Sequence, residues 1–323
     1  VGTAAVIAVL GLSGCAFNPL STFTTPTLDQ IERETVTPAV SDDALVTPGT
    51  LTVALDTSDA PQAMQGSDGN LTGYAVDAAR ALASRMGLKV AFVDASSANS
   101  ALGDKKADIF IGDINSTDGD ISTLGTCLYD AAAVFGKTSD GESRSVSTET
   151  LNTATLGVQA SSASREALAK QSVTANQKTF SNINECFEAL ESGEVDYVIC
   201  DSTAGGYLAR LMSQISYVGA LETPSTLGVA GPAANNGLCR AVGDALDGIT
   251  ADGTLEAVHS VWYGTMPYDL TTKTVSGADV QSTDTGSSES ASSDSSSEGA
   301  SSKDKSSSQE GAITDDDINK LNS

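Results

Sequence analysis

Apolar and polar positions along the middle of the chain follow two periods that take turns. Leu51-Thr52-Val53-Ala54-Leu55 is a β-branched and apolar run behind Pro48-Gly49, which predicts a buried strand. Asp77–Met86 is Ala-rich, spaces its apolar residues by three and four, and is stopped by Gly87, which predicts a helix. Lys89–Val93 and Ala107–Gly112 read as the next two strands. Leu156–Ala160 reads as a further strand before SSASREALAKQ, where Ser161 or Ser162 supplies an N-cap. Asn182–Ser192 is a helix ending at Gly193, Val195–Cys200 a strand, and Asp201-Ser202 opens a helix that runs to Leu211. Asn236–Ile249 and Thr254–Trp262 are the last two helices. Strands alternating with helices predict α/β layers with mostly parallel pairing. Ligands of such sheets sit beyond the carboxyl ends of the strands, near helix N-termini.

The periodic part is flanked by segments of other composition. Residues 1–14, VGTAAVIAVLGLSG, are small and apolar and precede Cys15; the run is too short to span a bilayer and reads as the h-region of a secretory signal. Leu12-Ser13-Gly14-Cys15 is similar to a bacterial lipobox, in which the Cys sulfur takes a diacylglyceryl chain; the alternative is a plain cleaved signal followed by an unrelated Cys. Residues 15–48 are Thr/Pro/Asp-rich without period and read as a linker. Residues 276–323 are Ser/Gly/acid-rich, with ten acids against three lysines. Such a segment buries too little apolar area to offset its ordering entropy, so a disordered tail is expected. The folded part is therefore expected over about residues 49–270.

Charge and composition narrow the chemistry. The 323 residues hold 17 Lys+Arg against 42 Asp+Glu, a formal net charge of −25, which argues against nucleic acid and against docking on an anionic membrane by charge. A single His, His259, leaves Ser-His-Asp, Cys-His and His-rich metal chemistry without material. No C-x-x-C spacing occurs, so zinc and redox motifs are unsupported. No cofactor is expected, and no enzyme.

The order of motifs resembles a family. Gly49-Thr-Leu-Thr-Val-Ala-Leu-Asp56 followed by Gly69-Asn-Leu-Thr-Gly-Tyr-Ala-Val-Asp77 is similar to the opening of the extracellular solute-binding proteins, family 3, that serve polar amino-acid ABC importers. Ala101–Asp108, Leu156–Ala160, Glu188–Asp196, Asp201-Ser202, and Ala251-Asp-Gly-Thr254 with Val261-Trp-Tyr-Gly264 continue the resemblance over about residues 49–268. Each motif is weak alone; the ordered set is specific. The resemblance implies an α/β type II periplasmic-binding fold, with lobe 1 at 49–133 plus 230–268, lobe 2 at 138–226, and Gly136 and Gly228 near two crossover strands. It further implies a small polar solute and ABC permease subunits as partners, on the outer face of the cytoplasmic membrane.

The resemblance also implies a pocket, and here the chain departs from the pattern. Where similar proteins place the carboxylate-binding Arg, this chain has Asp120. The loop glycine aligns with Asp113, the hydroxyl with Asn115, and the stacking aromatic with Asp59; Gln62 follows Pro61 in place of a second aromatic. Asp56 ends the first strand, Ser161 and Ser162 stand at a helix N-terminus, and Asp201 is at the ammonium-acceptor position. So acidic a cleft fits a ligand that is cationic or carries several ammonium groups, or a module that has lost amino-acid binding. The plainer readings are an N-cap for Asp77, a structural role for Asp196, core for Trp262 and Tyr263, and helix surface for His259. Four further cysteines, Cys127, Cys186, Cys200 and Cys239, allow three pairings. An exported protein permits disulfides: Cys186 in the first turn of a helix and Cys200 at the end of the following strand suit one pairing, with Cys127–Cys239, both in the implied lobe 1, as its companion; buried free thiols are the alternative.

Overall fold

The computed structural model describes residues 36–66, 69–114, 117–138, 145–160 and 163–281. Cys15, the signal-like run 1–14, Asn115, Ser161, Ser162 and residues 282–323 lie outside the described residues. In chain order the elements are β1 (Thr50–Leu55), β2 (Met64–Gln65), β3 (Leu71–Thr72), α1 (Tyr74–Arg85), β4 (Lys89–Asp94), α2 (Ala98–Gly103), β5 (Ile109–Asp113) and β6 (Ile121–Asp130). They continue with β7 (Ala132–Lys137), α3 (Thr148–Thr153), β8 (Thr155–Gln159), α4 (Ser164–Lys170), β9 (Asn176–Phe180), α5 (Ile183–Ser192), β10 (Tyr197–Asp201) and α6 (Ser202–Ala209). The last are β11 (Ile215–Ala220), β12 (Ser225–Pro232), α7 (Asn236–Ala251) and α8 (Thr254–Tyr263).

Two five-stranded sheets result, in the orders β4-β1-β5-β12-β6 and β11-β7-β10-β8-β9. β1 is parallel to β4 and β5, and β8 is parallel to β9 and β10, as the strand–helix alternation predicts. β12 joins the first sheet antiparallel to β5, and β7 joins the second antiparallel to β10. The chain leaves the first sheet at the end of β6 and enters the second through Ala131 alone; it returns between β11 and β12. The two passages are bonded to their surroundings: the Leu221 N–H donates to the Ala132 carbonyl, and the Ser202 N–H to the Ala131 carbonyl.

The elements read from periodicity are present with small shifts of boundary. β6, β7, β9, β11 and β12 were not legible. β12, STLGVAGP, carries two glycines and a proline, residues depleted in strands; its pairing with β5 and β6 holds it extended. One apolar cluster runs through both halves, from Leu51, Val76 and Leu82 to Phe135, Phe187 and Tyr217, with Tyr263 and Met266 between them. A second cluster lies in the second half and includes Leu156, Val158, Leu168 and Ile199.

Four expectations need correction. First, the segments at both ends of the folded part are larger than expected. Residues 36–48, read as linker, include Leu45, which is buried in the core, and Ala39, whose N–H donates to the Met86 carbonyl. After α8 the chain crosses to the edge of β11. The Ala220 N–H donates to the Lys273 carbonyl and the Val275 N–H to the Ala220 carbonyl, while Val275 is buried. Ser276–Gln281, read as the start of the tail, are held by a bridge from Ser276 to Ser147 and by the Gln281 N–H donating to Thr223 Oγ1.

Second, His259 is not on the surface: it is 2% exposed, on the same face of α8 as Leu255, Trp262 and Tyr263. Tyr74, Tyr263 and Tyr268 surround it, and burial pushes its pKa down to about 4. Third, all four cysteines among the described residues are free thiols, so neither expected pairing is formed. Cys127 and Cys239 each donate to a nearby carbonyl, of Leu227 and Pro232, at 3.3 Å, and burial raises the pKa of every thiol. Fourth, Asp77 is not an N-cap. It lies within the first turn of α1, where it accepts from Trp262 Nε1 and pairs with Arg80. Asp196 is structural, accepting the Thr155 N–H at 2.8 Å.

Candidate functional site

The carboxyl ends of β1 and β5 form one wall of the site. Asp56 folds back on its own turn and accepts from the Ser58 N–H (2.9 Å) and hydroxyl (2.6 Å), a local bond typical of Asp in turns. The loop beyond it carries Asp59 and is fastened at its far end. The Pro61 and Gln62 carbonyls accept the first N–H groups of α1, from Tyr74 and Ala75, which would otherwise lack partners. That approach requires Gly73, at φ +146°, where a Cβ would overlap the Gln62 backbone. The Gln62 side chain, expected in place of the second aromatic, accepts from the Tyr263 hydroxyl at 2.9 Å. A cavity of about 160 Å³ opens here, lined by Asp56, Asp59, Gln62, Phe110, Gly112 and Asp113 among others.

The opposite wall is the junction of β10 and α6. Asp201 is the N-cap residue of α6, yet its side chain makes no cap hydrogen bond. Asp130, the last residue of β6, takes that role. Its carboxylate accepts from the Thr203 N–H (3.1 Å), the Ser202 hydroxyl (2.6 Å), the Thr203 hydroxyl (3.1 Å) and the Ala131 N–H (2.9 Å). At the second passage, Glu222 accepts the Ala132 N–H at 3.2 Å and stands 3.9 Å from Lys170 Nζ.

These acids act on one another. Asp201 has its pKa raised to about 6, first by desolvation and then by Asp130, Glu222 and Asp59. Asp59 is raised by desolvation, then by Asp56 and Asp130. Enclosure raises Asp130, and its four donors pull it back. Two carboxylates about 6 Å apart at an effective dielectric near 20 repel by roughly 3 kcal/mol, so a cluster from both walls favours proton uptake or a bound cation. Among the described residues no Lys or Arg forms an ion pair with Asp56, Asp59, Asp130 or Asp201.

Of the residues expected at the site, Asp56, Asp59 and Asp113 stand together on the first wall and Asp201 on the second. Asp120 does not join them. Asp113 pairs with Leu227, whereas the residue after Asp120, Ile121, pairs with Pro232 at the other end of β12. Five residues of extended strand, about 17 Å at 3.3 Å each, separate those levels, and the Asp120 carbonyl is bonded there to the Ala233 N–H. Counting along the sequence placed Asp120 at the ligand because the length of the loop after β5 was not legible. Asp130 and Glu222 were missed. The available signal for Asp130 was a lone acid between two apolar runs, CLY and AAAVF, where a strand passes from one sheet to the other.

Residues 51–119 match the family model of bacterial extracellular solute-binding proteins, family 3. L-cystine-binding protein TcyJ of Escherichia coli (strain K12) is 26% identical over 224 residues, which cover 67% of this chain and 83% of that protein. Among solved structures, an ancestral cationic amino acid solute binding protein is 27% identical at a TM-score of 0.55, covering 67% of this chain and 96% of its own. The L-cystine solute receptor of Neisseria gonorrhoeae, in its unliganded open conformation, matches at TM-score 0.56 and 19% identity, over 67% of this chain and 93% of that one. A polar amino acid ABC uptake transporter substrate binding protein from Streptococcus thermophilus matches at TM-score 0.60 and 18% identity, over 67% and 86%. The type II periplasmic-binding fold expected from the motifs is the fold of these structures.

Proposed function

We propose that the chain, whose residues 51–119 match the family 3 model of bacterial extracellular solute-binding proteins, is the substrate-binding subunit of an ABC importer for cationic or ammonium-rich amino acids and related solutes. It binds and delivers without chemistry. The segments 49–133 plus 230–268 and 138–226 act as two lobes that close over the ligand by bending at the passages between the sheets. The Asp201 carboxylate takes the α-ammonium group; Asp56, Asp59 and Asp113 take further positive charge. The observation that carries this reading is the set of acids from both walls: Asp130, Glu222 and Asp59 raise the proton affinity of Asp201, and Asp56 and Asp130 raise that of Asp59. The 27% identical ancestral cationic amino acid solute binding protein supports it. So does L-cystine, the ligand named for the curated relative, which carries two ammonium groups.

Cys15 carries the lipid anchor and holds the protein at the outer face of the cytoplasmic membrane, where permease subunits meet it. Mass spectrometry of the membrane-extracted protein is expected to find diacylglycerol on Cys15, and Cys15→Ser to release the protein. Calorimetry at pH 7 with L-lysine, L-arginine, putrescine, L-cystine and L-glutamate tests the ligand class. Saturable heat from the cations and none from L-glutamate is expected; tight L-glutamate binding overturns the cationic reading. Silence across the panel favours a degenerate module, a second reading motivated by a cleft in which, among the described residues, no Lys or Arg pairs with Asp56, Asp59, Asp130 or Asp201.

A further inference from the structure

The cap of α6 is supplied from the wrong place. An N-cap residue ordinarily turns its own side chain onto the N–H groups of the first turn, and by position that residue is Asp201. Here the Thr203 N–H is satisfied by Asp130, 73 positions earlier in the chain, on the strand that ends at the passage between the sheets. Both oxygens of Asp130 are engaged: Oδ1 by Ala131, Ser202 and Thr203 N–H, and Oδ2 by the Thr203 hydroxyl. The arrangement leaves the neighbouring Asp201 carboxylate without cap duty. It also sets a second carboxyl next to it that raises the proton affinity of Asp201, while the four donors offset part of the rise that burial imposes on Asp130 itself.

We propose that Asp130 is a positioning residue of the ligand site: it caps α6 from across the passage, frees Asp201 for a ligand ammonium, and holds a second carboxyl beside Asp201, so that capture of a cation expels a proton and acidification releases the cation. The ligand half of this inference rests on the cation-binding reading; the ligand-free half does not.

The groups facing Asp201 come from every neighbouring element. They are Asp130 from β6, Asp59 from the loop after β1, and Glu222 from the return passage, with Lys170 Nζ 3.9 Å from its Oε2. The buried Cys200 thiol precedes it on β10, and the Tyr263 phenol of α8 faces Asp130 and Asp59. Acids outnumber the one ammonium, so the cluster retains a proton into mildly acidic solution. A ligand ammonium replaces that proton. With one linked proton, affinity falls by up to tenfold per pH unit below the midpoint of Asp201.

The test begins without ligand. In a ¹³C-carboxyl NMR titration of the wild-type protein, the Asp201 resonance, assigned by its loss in Asp201→Asn, is expected to titrate well above the ordinary Asp range. In Asp130→Asn, and in Asp130→Ser as a second uncharged capping side chain, the midpoint is expected to drop by about one pH unit. An ordinary midpoint in the wild type, or an unchanged one in either folded variant, overturns the proposal whatever the ligand is. L-lysine is then titrated calorimetrically at pH 6 in buffers of different ionisation enthalpy. Proton release in the wild type that shrinks in the Asp130 variants supports the linkage, and binding without proton release overturns it. A shifted midpoint with no heat from L-lysine keeps the role of Asp130 and sinks the cation reading alone.

Discussion

The N-termini of α5 and α6 belong to the same half of the molecule and are finished in opposite ways. α5 finishes itself. Asn182 Oδ1 accepts the Glu185 N–H at 3.0 Å, and Glu185 reaches back to the Ser181 N–H at 3.0 Å, a capping box shifted to the N–H one residue before the cap. Gly193, in the left-handed conformation, closes the other end. Every bond lies within a dozen residues and serves the helix alone. α6 is finished by Asp130 from the other side of the passage, while its own Asp201 is left to the cleft. A self-capped helix marks a place where local chemistry is sufficient; a helix capped from elsewhere marks a place where the local residue has another task.

Breaking the cap of α6 is expected to have the largest effect. Asp130→Ala leaves the Ser202 and Thr203 groups without their acceptor, and each enclosed unsatisfied donor costs about 1–3 kcal/mol. Relief of repulsion with Asp201 offsets part of this. A net loss of about 2 kcal/mol at pH 7 is expected, read as a Tm lowered by about 4–8 °C for a domain of this size, together with weakened L-lysine binding.

Removing the freed carboxylate separates the two roles. Asp201→Asn is expected to weaken L-lysine binding by about 10–100-fold, the value of a hydrogen bond to a charged group, without lowering Tm. The sign follows from the raised proton affinity: Asp201 in the folded protein takes its proton up to about pH 6, against 3.8 as its ordinary value. Its contribution to stability is therefore full below about pH 4 and is lost as pH rises through 6. The Asn variant mimics the protonated form, so its Tm is expected to exceed the wild type's at pH 7 and to converge with it by pH 4. Comparing the two proteins at each pH cancels the opposing contribution of His259. Its pKa is depressed to about 4, so the stability it contributes is present above 6.5 and lost as pH falls through 4.

Breaking the cap of α5 sharpens the contrast. Asn182→Ala is expected to cost about 1 kcal/mol and to lower Tm by about 2–4 °C, with L-lysine affinity unchanged. The smallest effect is expected from Asp120→Ala, which stands at the far end of the first sheet: the same heat and the same affinity as the wild type in calorimetry. A loss of binding there would return Asp120 to the site and undo the registry argument.

The sequence by itself determined the elements whose signals are local. The apolar run of β1, the Ala-rich spacing of α1, the Asn182-to-Gly193 frame of α5 and the alternation that implies parallel sheets are all written in neighbouring residues, and the acids of the first wall lie next to a strand end that periodicity locates. Tertiary structure alone decided the passage strands β6 and β12, the burial of His259, the docking of residues 273–281 on β11, and the sharing of tasks between Asp130 and Asp201. Each of these depends on a partner distant in the chain. Burial and hydrogen bonding across such separations leave no periodic trace, and a loop of unread length hides on which end of a sheet its next residue will stand.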